Sequence, residues 1–140
     1  MPIAALLVDA GPLYAYVDAD DRHHVESLEL LRSHHGPLLV PALVVAEVAH
    51  LLGSRLGAGP EVRFLGDLAS GDLGVEAVAA GDWLRIAELV WRYRDLPLGT
   101  VDASLVAAAE RCGIGTIATF DRQHFGVVRP AHTAAFDLLP

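Results

Sequence analysis

The stretch Pro37–Leu52, PLLVPALVVAEVAHLL, changes its period in the middle. Residues 38–40 form a short continuous apolar run between prolines, which predicts a strand buried on both faces. From Ala42 onward the apolar residues fall three and four apart, at Val44, Val48 and Leu51, which predicts a helix running to about Gly57. A strand passing directly into a helix is half of a parallel crossover unit. One residue breaks the helical pattern. Glu47 stands three after Val44 and four before Leu51, so it shares the apolar face. Carboxylates are rarely buried without partners, and this one asks for one.

The same alternation extends in both directions. IAALLVD (3–9) predicts a first strand, followed by a helix over GPLYAYV (11–17) with proline in its first turn. DDRHHVESLELLRSHHG (20–36) predicts an amphipathic helix with Val25, Leu28 and Leu31 in step and Gly36 as the stop. Beyond Gly57, helices are expected over 59–71, 80–95 and 100–113, the last with Thr100 as N-cap. Strands are expected at LGVEAV (73–78) and GTIATF (115–120), with AAFDLLP (134–140) as a fifth at the edge. Alternating strands and helices imply a three-layer α/β/α fold around a central parallel sheet of four to five strands. No repeat or linker interrupts the pattern, and residues 1–140 are expected to form a single domain.

Composition narrows the function classes. The 140 residues are 53% hydrophobic, with a mean hydropathy of +0.40. No apolar run approaches the ~18 residues of a spanning helix. The first residues lack a basic region of the secretory type, so a soluble, cytoplasmic protein with apolar surface reserved for an interface is expected. The net charge of −8 disfavours broad nucleic-acid binding but not a nucleic-acid enzyme, because acids can belong to a metal site. A single cysteine, Cys112, excludes an intramolecular disulfide; late in an alanine-rich helix, it is expected as a buried small residue. All ten basic residues are arginine.

Sites in open parallel sheets gather outside the carboxyl ends of the strands. Asp9 follows the first strand and Asp121 follows the fourth. Asp102 shares a helical face with Leu105, Val106 and Ala109, and Glu47 lies on its apolar stripe. Each has a plainer use. Asp9 suits a helix cap, Asp102 a helix dipole, Asp121 a turn, and Glu47 the edge of its stripe or an arginine partner. Taken together, four carboxylates in a partly dry pocket repel one another, and a divalent cation with hard oxygen ligands, Mg²⁺ or Mn²⁺, removes the conflict. Such an ion polarises a phosphoryl group and acidifies a water, which suits phosphodiester hydrolysis.

At these residues the sequence resembles the PIN-domain family, and within it the VapC-type toxins of toxin–antitoxin pairs. The carriers are LLVDAGPLYAYVDADDRHH with Asp9, VPALVVAEVAHLL with Glu47, LGTVDASLVAAAERCG with Asp102, and IATFDRQHF with Thr119, Asp121 and the closing His124-Phe125. The resemblance implies an endoribonuclease dependent on Mg²⁺ or Mn²⁺, often a homodimer, acting on RNA and inhibited by a cognate antitoxin. It implies Asp9 and Asp102 as direct metal ligands, Glu47 and Asp121 as ligands directly or through water, and Thr119 as a supporting hydroxyl. Many relatives carry Ser or Thr two positions after the first aspartate; here Gly11 stands in its place.

Other readings fit less well. Receiver domains and haloacid-dehalogenase-type phosphatases also set aspartates at strand ends around Mg²⁺, but both rely on a lysine, and this chain has none. A non-catalytic domain that keeps the acids for metal-supported structure is the rival of a different class, and a cleavage assay separates it. Of the seven histidines, His23 and His34 are eleven apart and too distant along a helix to share an ion, and adjacent histidines diverge, so exposed, solvated rings are expected. His124, within a turn of Asp121, is the exception. GIGTIA enters a strand rather than leaving one, unlike a dinucleotide fingerprint. Trp83 and Trp91, eight apart on one helix, are expected in core or interface packing.

Overall fold

The computed structural model describes residues 4–140. Five strands, β1 (Leu6–Val8), β2 (Leu38–Pro41), β3 (Gly74–Glu76), β4 (Thr116–Ala118) and β5 (Asp137–Leu139), form one sheet. Its order is β3-β2-β1-β4-β5, and every neighbouring pair is parallel. The expected parallel sheet is therefore present, with AAFDLLP supplying the edge strand β5. Ile3, the first residue of the predicted first strand, lies outside the described residues.

The helices are α1 (Ala10–Val17), α2 (His24–Ser33), α3 (Ala42–Leu56), α4 (Ala58–Ser70), α5 (Asp82–Arg92), α6 (Thr100–Cys112) and the single turn α7 (Arg122–Phe125). Helices cover both sides of the sheet. α1 packs on α2 and α3, and α3 on α4, while α5 packs on α6. From β1 the chain moves outward through β2 to β3, then returns past β1 to β4 and continues to β5. With right-handed crossovers, that reversal sends the two helix groups to opposite faces. It also makes the gap between β1 and β4 the switch point, where the connections leave in opposite directions and open a crevice.

The centre is built as the apolar runs require. Leu6, Leu7 and Val8 are fully buried, with Val40 and Ile117 beside them. Truncating such a leucine to alanine typically costs about 2–5 kcal/mol. In α6, every residue from Ala103 to Ala109 is buried, so this helix is enclosed on all sides and its small side chains follow from crowding. None of the helices among the described residues is long and apolar enough to cross a membrane.

Several local expectations fail. Gly99, not Thr100, caps α6, and Thr100 is its first helical residue without a capping bond. Cys112 is exposed at the end of that helix, because the enclosed stretch stops at Ala109. α2 begins only at His24: the Asp21 side chain accepts from the His23 amide at 2.8 Å, and this turn takes residues 20–23 out of the helix. It ends at Ser33, ahead of Gly36. Its buried face is Ser27 and Leu31, and Val25 is exposed. Trp83 and Trp91 lie on the outer side of α5, so core packing does not describe them. The expectation of exposed histidines holds for His35, His50 and His132, whereas His24 and His34 are half-buried; His24 reaches Ala15 O at 2.7 Å, His34 Ala4 O at 3.1 Å and the exposed His132 Ile114 O at 2.7 Å.

Candidate active site

The crevice between β1 and β4 is where the acids gather. Asp9 is the residue after β1, positioned by its amide bond to Ala118 O at 2.9 Å. It occupies the N-cap position of α1 but makes no side-chain capping bond. Instead its carboxylate accepts the Thr119 hydroxyl at 2.8 Å, across the strand gap. Thr119 follows β4, is fully buried, and its amide donates to Leu139 O at 2.8 Å. The same hydroxyl accepts the Asp121 amide at 3.0 Å. One side chain thus ties the end of β1 to the turn after β4.

Asp102 sits in the first turn of α6, with its side chain about one-quarter exposed. Asp121 caps α7, accepting the His124 amide at 2.9 Å, and its other oxygen meets His124 Nδ1. His124 Nε2 reaches Leu96 O at 2.8 Å. Both ring nitrogens therefore face acceptors, an arrangement that only the doubly protonated imidazolium satisfies at both ends. Its Nδ1 also lies 3.8 Å from Asp102 Oδ2. Glu47 projects from α3 at the solvent side and is exposed, beside rather than within the buried row Val44, Val48, Leu52.

Asp9, Glu47, Asp102 and Asp121 line one open cleft of about 480 Å³, together with Ala10, Gly11 and Phe120. The tightest grouping is Asp102, Asp121 and His124, whose polar atoms lie within 4.8 Å of one another, with the carboxylates as the ligand atoms while His124 carries both its protons. Asp9, engaged by Thr119, and Glu47, on α3, stand outside that triplet. The electrostatics follow from the crowding. Burial raises the Asp9 carboxyl above its usual range, and the Asp121 charge adds to it against the Thr119 hydrogen bond. Asp102 is pushed up to about 6, chiefly by burial and then by Asp9 and Asp121, with His124 opposing. Glu47, although the residue is exposed, is raised by partial desolvation of its carboxyl against the cleft and then by Asp9. His124 is raised by its hydrogen bond to Asp121.

These residues suit a divalent cation. The donors are hard oxygens, no lysine or arginine lines the cleft, and the carboxylates there are partly desolvated and repel one another, which a cation would offset.

Sequence reasoning missed two features. Phe120, between Thr119 and Asp121, turns its ring into the cleft mouth, and His23 stacks on it with centroids 4.2 Å apart. The available signal was position: a residue flanked by two site residues at a strand end has to lie at the lip. Gly11 has a steric meaning as well, since a Cβ there would lie 3.1 Å from the Phe120 ring.

A parallel sheet whose switch point is lined by carboxylates defines an α/β protein with an acidic strand-end site. A family model for the PIN domain matches residues 6–129. The chain belongs to the PIN-domain family. It is 33% identical over 135 residues to ribonuclease VapC26 of Mycobacterium tuberculosis, a match covering 96% of this chain and all of that one. Its structure is similar to that of VapC20 from Mycobacterium tuberculosis, a sarcin-ricin loop cleaving toxin. That likeness has a TM-score of 0.75 at 25% identity, covering 80% of this chain and 86% of the other. VapBC2 from Rickettsia felis, solved bound to a DNA fragment from its promoter, shares the fold. Its TM-score is 0.67 at 15% identity, over 96% of both chains.

Proposed function

We propose that this chain is a metal-dependent endoribonuclease and the toxin half of a toxin–antitoxin pair. The observation that carries the reading is the convergence of four carboxylates on one cleft at the sheet's switch point, in a chain one-third identical along its length to a ribonuclease. Asp9 and Asp102 would hold Mg²⁺ or Mn²⁺, with Glu47 and Asp121 binding it directly or through water. When bound, the ion supplies charge to the phosphoryl oxygens and acidity to a water. The chain's own residues do the rest. Thr119 fixes the Asp9 oxygen and the Asp121 backbone with one hydroxyl. His124, anchored on Leu96 O, aims the Asp121 carboxylate. Glu47, at the solvent side, would orient the attacking water.

An antitoxin partner is supported by the similarity to VapBC2 and to FitAcB from Neisseria gonorrhoeae (TM-score 0.60, 15% identity, 96% of both chains). Exposed Trp83, Leu84 and Trp91 on α5 offer apolar surface for such a partner or for a second copy in a homodimer. The expected setting is the cytoplasm, where RNA is the substrate.

The test is cleavage of RNA by the purified chain with Mn²⁺ or Mg²⁺. Cleavage should stop in EDTA and fall about a hundredfold or more in Asp102→Asn, the scale of removing one preorganised electrostatic group. A folded Asp102→Asn protein that cleaves at the wild-type rate would remove Asp102 from the site. Absence of any cleavage by the wild type, with metal bound, would favour the non-catalytic interaction domain.

A further inference from the structure

Beside the acidic cleft lies a second cavity of about 340 Å³ that shares Ala10, Gly11, Glu47 and Phe120 with it. Its size falls in the range of small-ligand pockets, about 300–1,000 Å³. Its chemistry is different from that of the cleft. One wall is the Phe120–His23 pair, with ring planes 23° apart. Phe120 hangs from the backbone between Thr119 and Asp121, so its ring stands at the boundary of the two cavities.

Three features hold that pair in place. Gly11 leaves the space that the Phe120 ring fills, since a Cβ would come within 3.1 Å of it. Arg22 Nε donates to His23 Nε2 at 3.1 Å, while Nδ1 faces the Glu26 carboxylate. The His23 amide is fixed to Asp21 Oδ1 at 2.8 Å. The same cavity is lined by exposed Arg55, whose guanidinium lies 5.1 Å above the Tyr14 ring centroid. Among the described residues no carboxylate forms a salt bridge with it.

A braced ring pair and an unpaired guanidinium, adjoining a site for phosphodiester cleavage, match the two halves of a nucleotide. Bases stack on aromatic faces, and guanidinium forks take phosphate oxygens. We propose that this cavity is the subsite for the nucleotide next to the cleaved phosphodiester. The base lies against the Phe120–His23 pair, and a phosphate of the strand lies at Arg55. The assignment rests on the ribonuclease reading above. Every base has a π-face, so the subsite grips a single-stranded, unstacked nucleotide without choosing its identity.

The experiment measures kcat/KM on single-stranded oligoribonucleotides that carry one abasic residue at each successive position. For the wild type, the abasic residue at one position beside the cleaved bond should lower kcat/KM about tenfold, the scale of one lost base stack. Phe120→Leu should show that loss on intact RNA, and the abasic residue at that position should then cost nothing further. Phe120→Tyr, which keeps the ring, should retain the loss caused by the abasic residue at that position. His23→Ala, at a turn outside the core, gives the same non-additivity without relying on the stability of Phe120→Leu. If both variants cleave intact RNA at the wild-type rate, or keep the full abasic loss, the subsite is overturned while the nuclease reading stands. In that case the ring pair serves a protein contact. A wild type that cleaves no RNA overturns both together.

Discussion

Asp102 shows how far one residue can be read. Its carboxyl is pushed up to about 6 by burial and by Asp9, Asp121 and Glu47, with His124 pulling the other way. An unfolded aspartate titrates near ~3.9. The folded chain therefore binds this proton more tightly than the unfolded chain, and deprotonation costs stability. The cost is absent below about pH 4, grows as pH rises and is complete above about 6. At ~1.4 kcal/mol for each pH unit between the two values, it is of order 2–3 kcal/mol. His124 acts in the same direction, since its pKa is raised and the stability it contributes is lost as pH rises through the folded value. In urea titrations of metal-free protein between pH 4.5 and 7.5, Asp102→Asn should therefore show a flatter decline than the wild type. Parallel curves would mean that Asp102 feels no such crowding. Thr119 gives a second expectation: Thr119→Val keeps the shape but frees the Asp9 oxygen and strands the Asp121 amide. RNA cleavage should fall about tenfold or more, with stability reduced by about 1–2 kcal/mol in thermal melts.

At the scale of elements, α5 and α6 are joined by an ion pair that positions neither by hydrophobic area alone. Arg111 Nε donates to both Asp82 oxygens, at 3.2 and 3.1 Å, and its other nitrogens reach Glu76 at 2.7 Å and Ala77 O at 3.0 Å. Asp82 is buried and also caps the Ala79 amide at 3.0 Å. Arg111→Met would leave that carboxylate without its cation. Because Arg111 is one-third exposed, the expected loss is about 1–2 kcal/mol in urea unfolding rather than the ~3–5 of a fully buried pair. Unchanged stability would show that water replaces the arginine. This network was invisible in the sequence, because its partners lie 29 and 35 positions apart. The elements themselves were legible, since apolar runs and helical spacing depend only on neighbours. Their ends were not: residues 20–23 satisfy the helical pattern of α2 yet belong to a turn set by the Asp21 side chain, and the Gly99 cap of α6 gives no side-chain signal.

On the scale of the whole molecule, the sheet order does what no local pattern can. It places Asp9 and Asp121, more than a hundred residues apart, on the two sides of one gap. Strand ends alone nominated them; that Asp102 and Glu47 face the same cleft depends on how α6 and α3 pack against those ends. The ring pair at its mouth depends on Gly11 and on the turn before α2, and neither carried a chemical signature. Convergence of four acids has a global consequence. Without metal, the folded state gathers charges that the unfolded chain keeps apart. Removing one by Asp9→Asn should hold or raise the melting temperature in EDTA, although most substitutions lower it. The amide oxygen can still accept the Thr119 hydroxyl, so the substitution tests charge rather than packing. Added Mn²⁺ should stabilise the wild type by RT ln(1 + [L]/Kd), about 2.7 kcal/mol at a hundredfold excess over Kd. It should do much less for Asp9→Asn. A series of melts from EDTA through rising Mn²⁺ reads both effects: equal metal-induced shifts in the two proteins would take Asp9 out of the metal site, and an EDTA melt well below wild type would mean that its charge serves the fold.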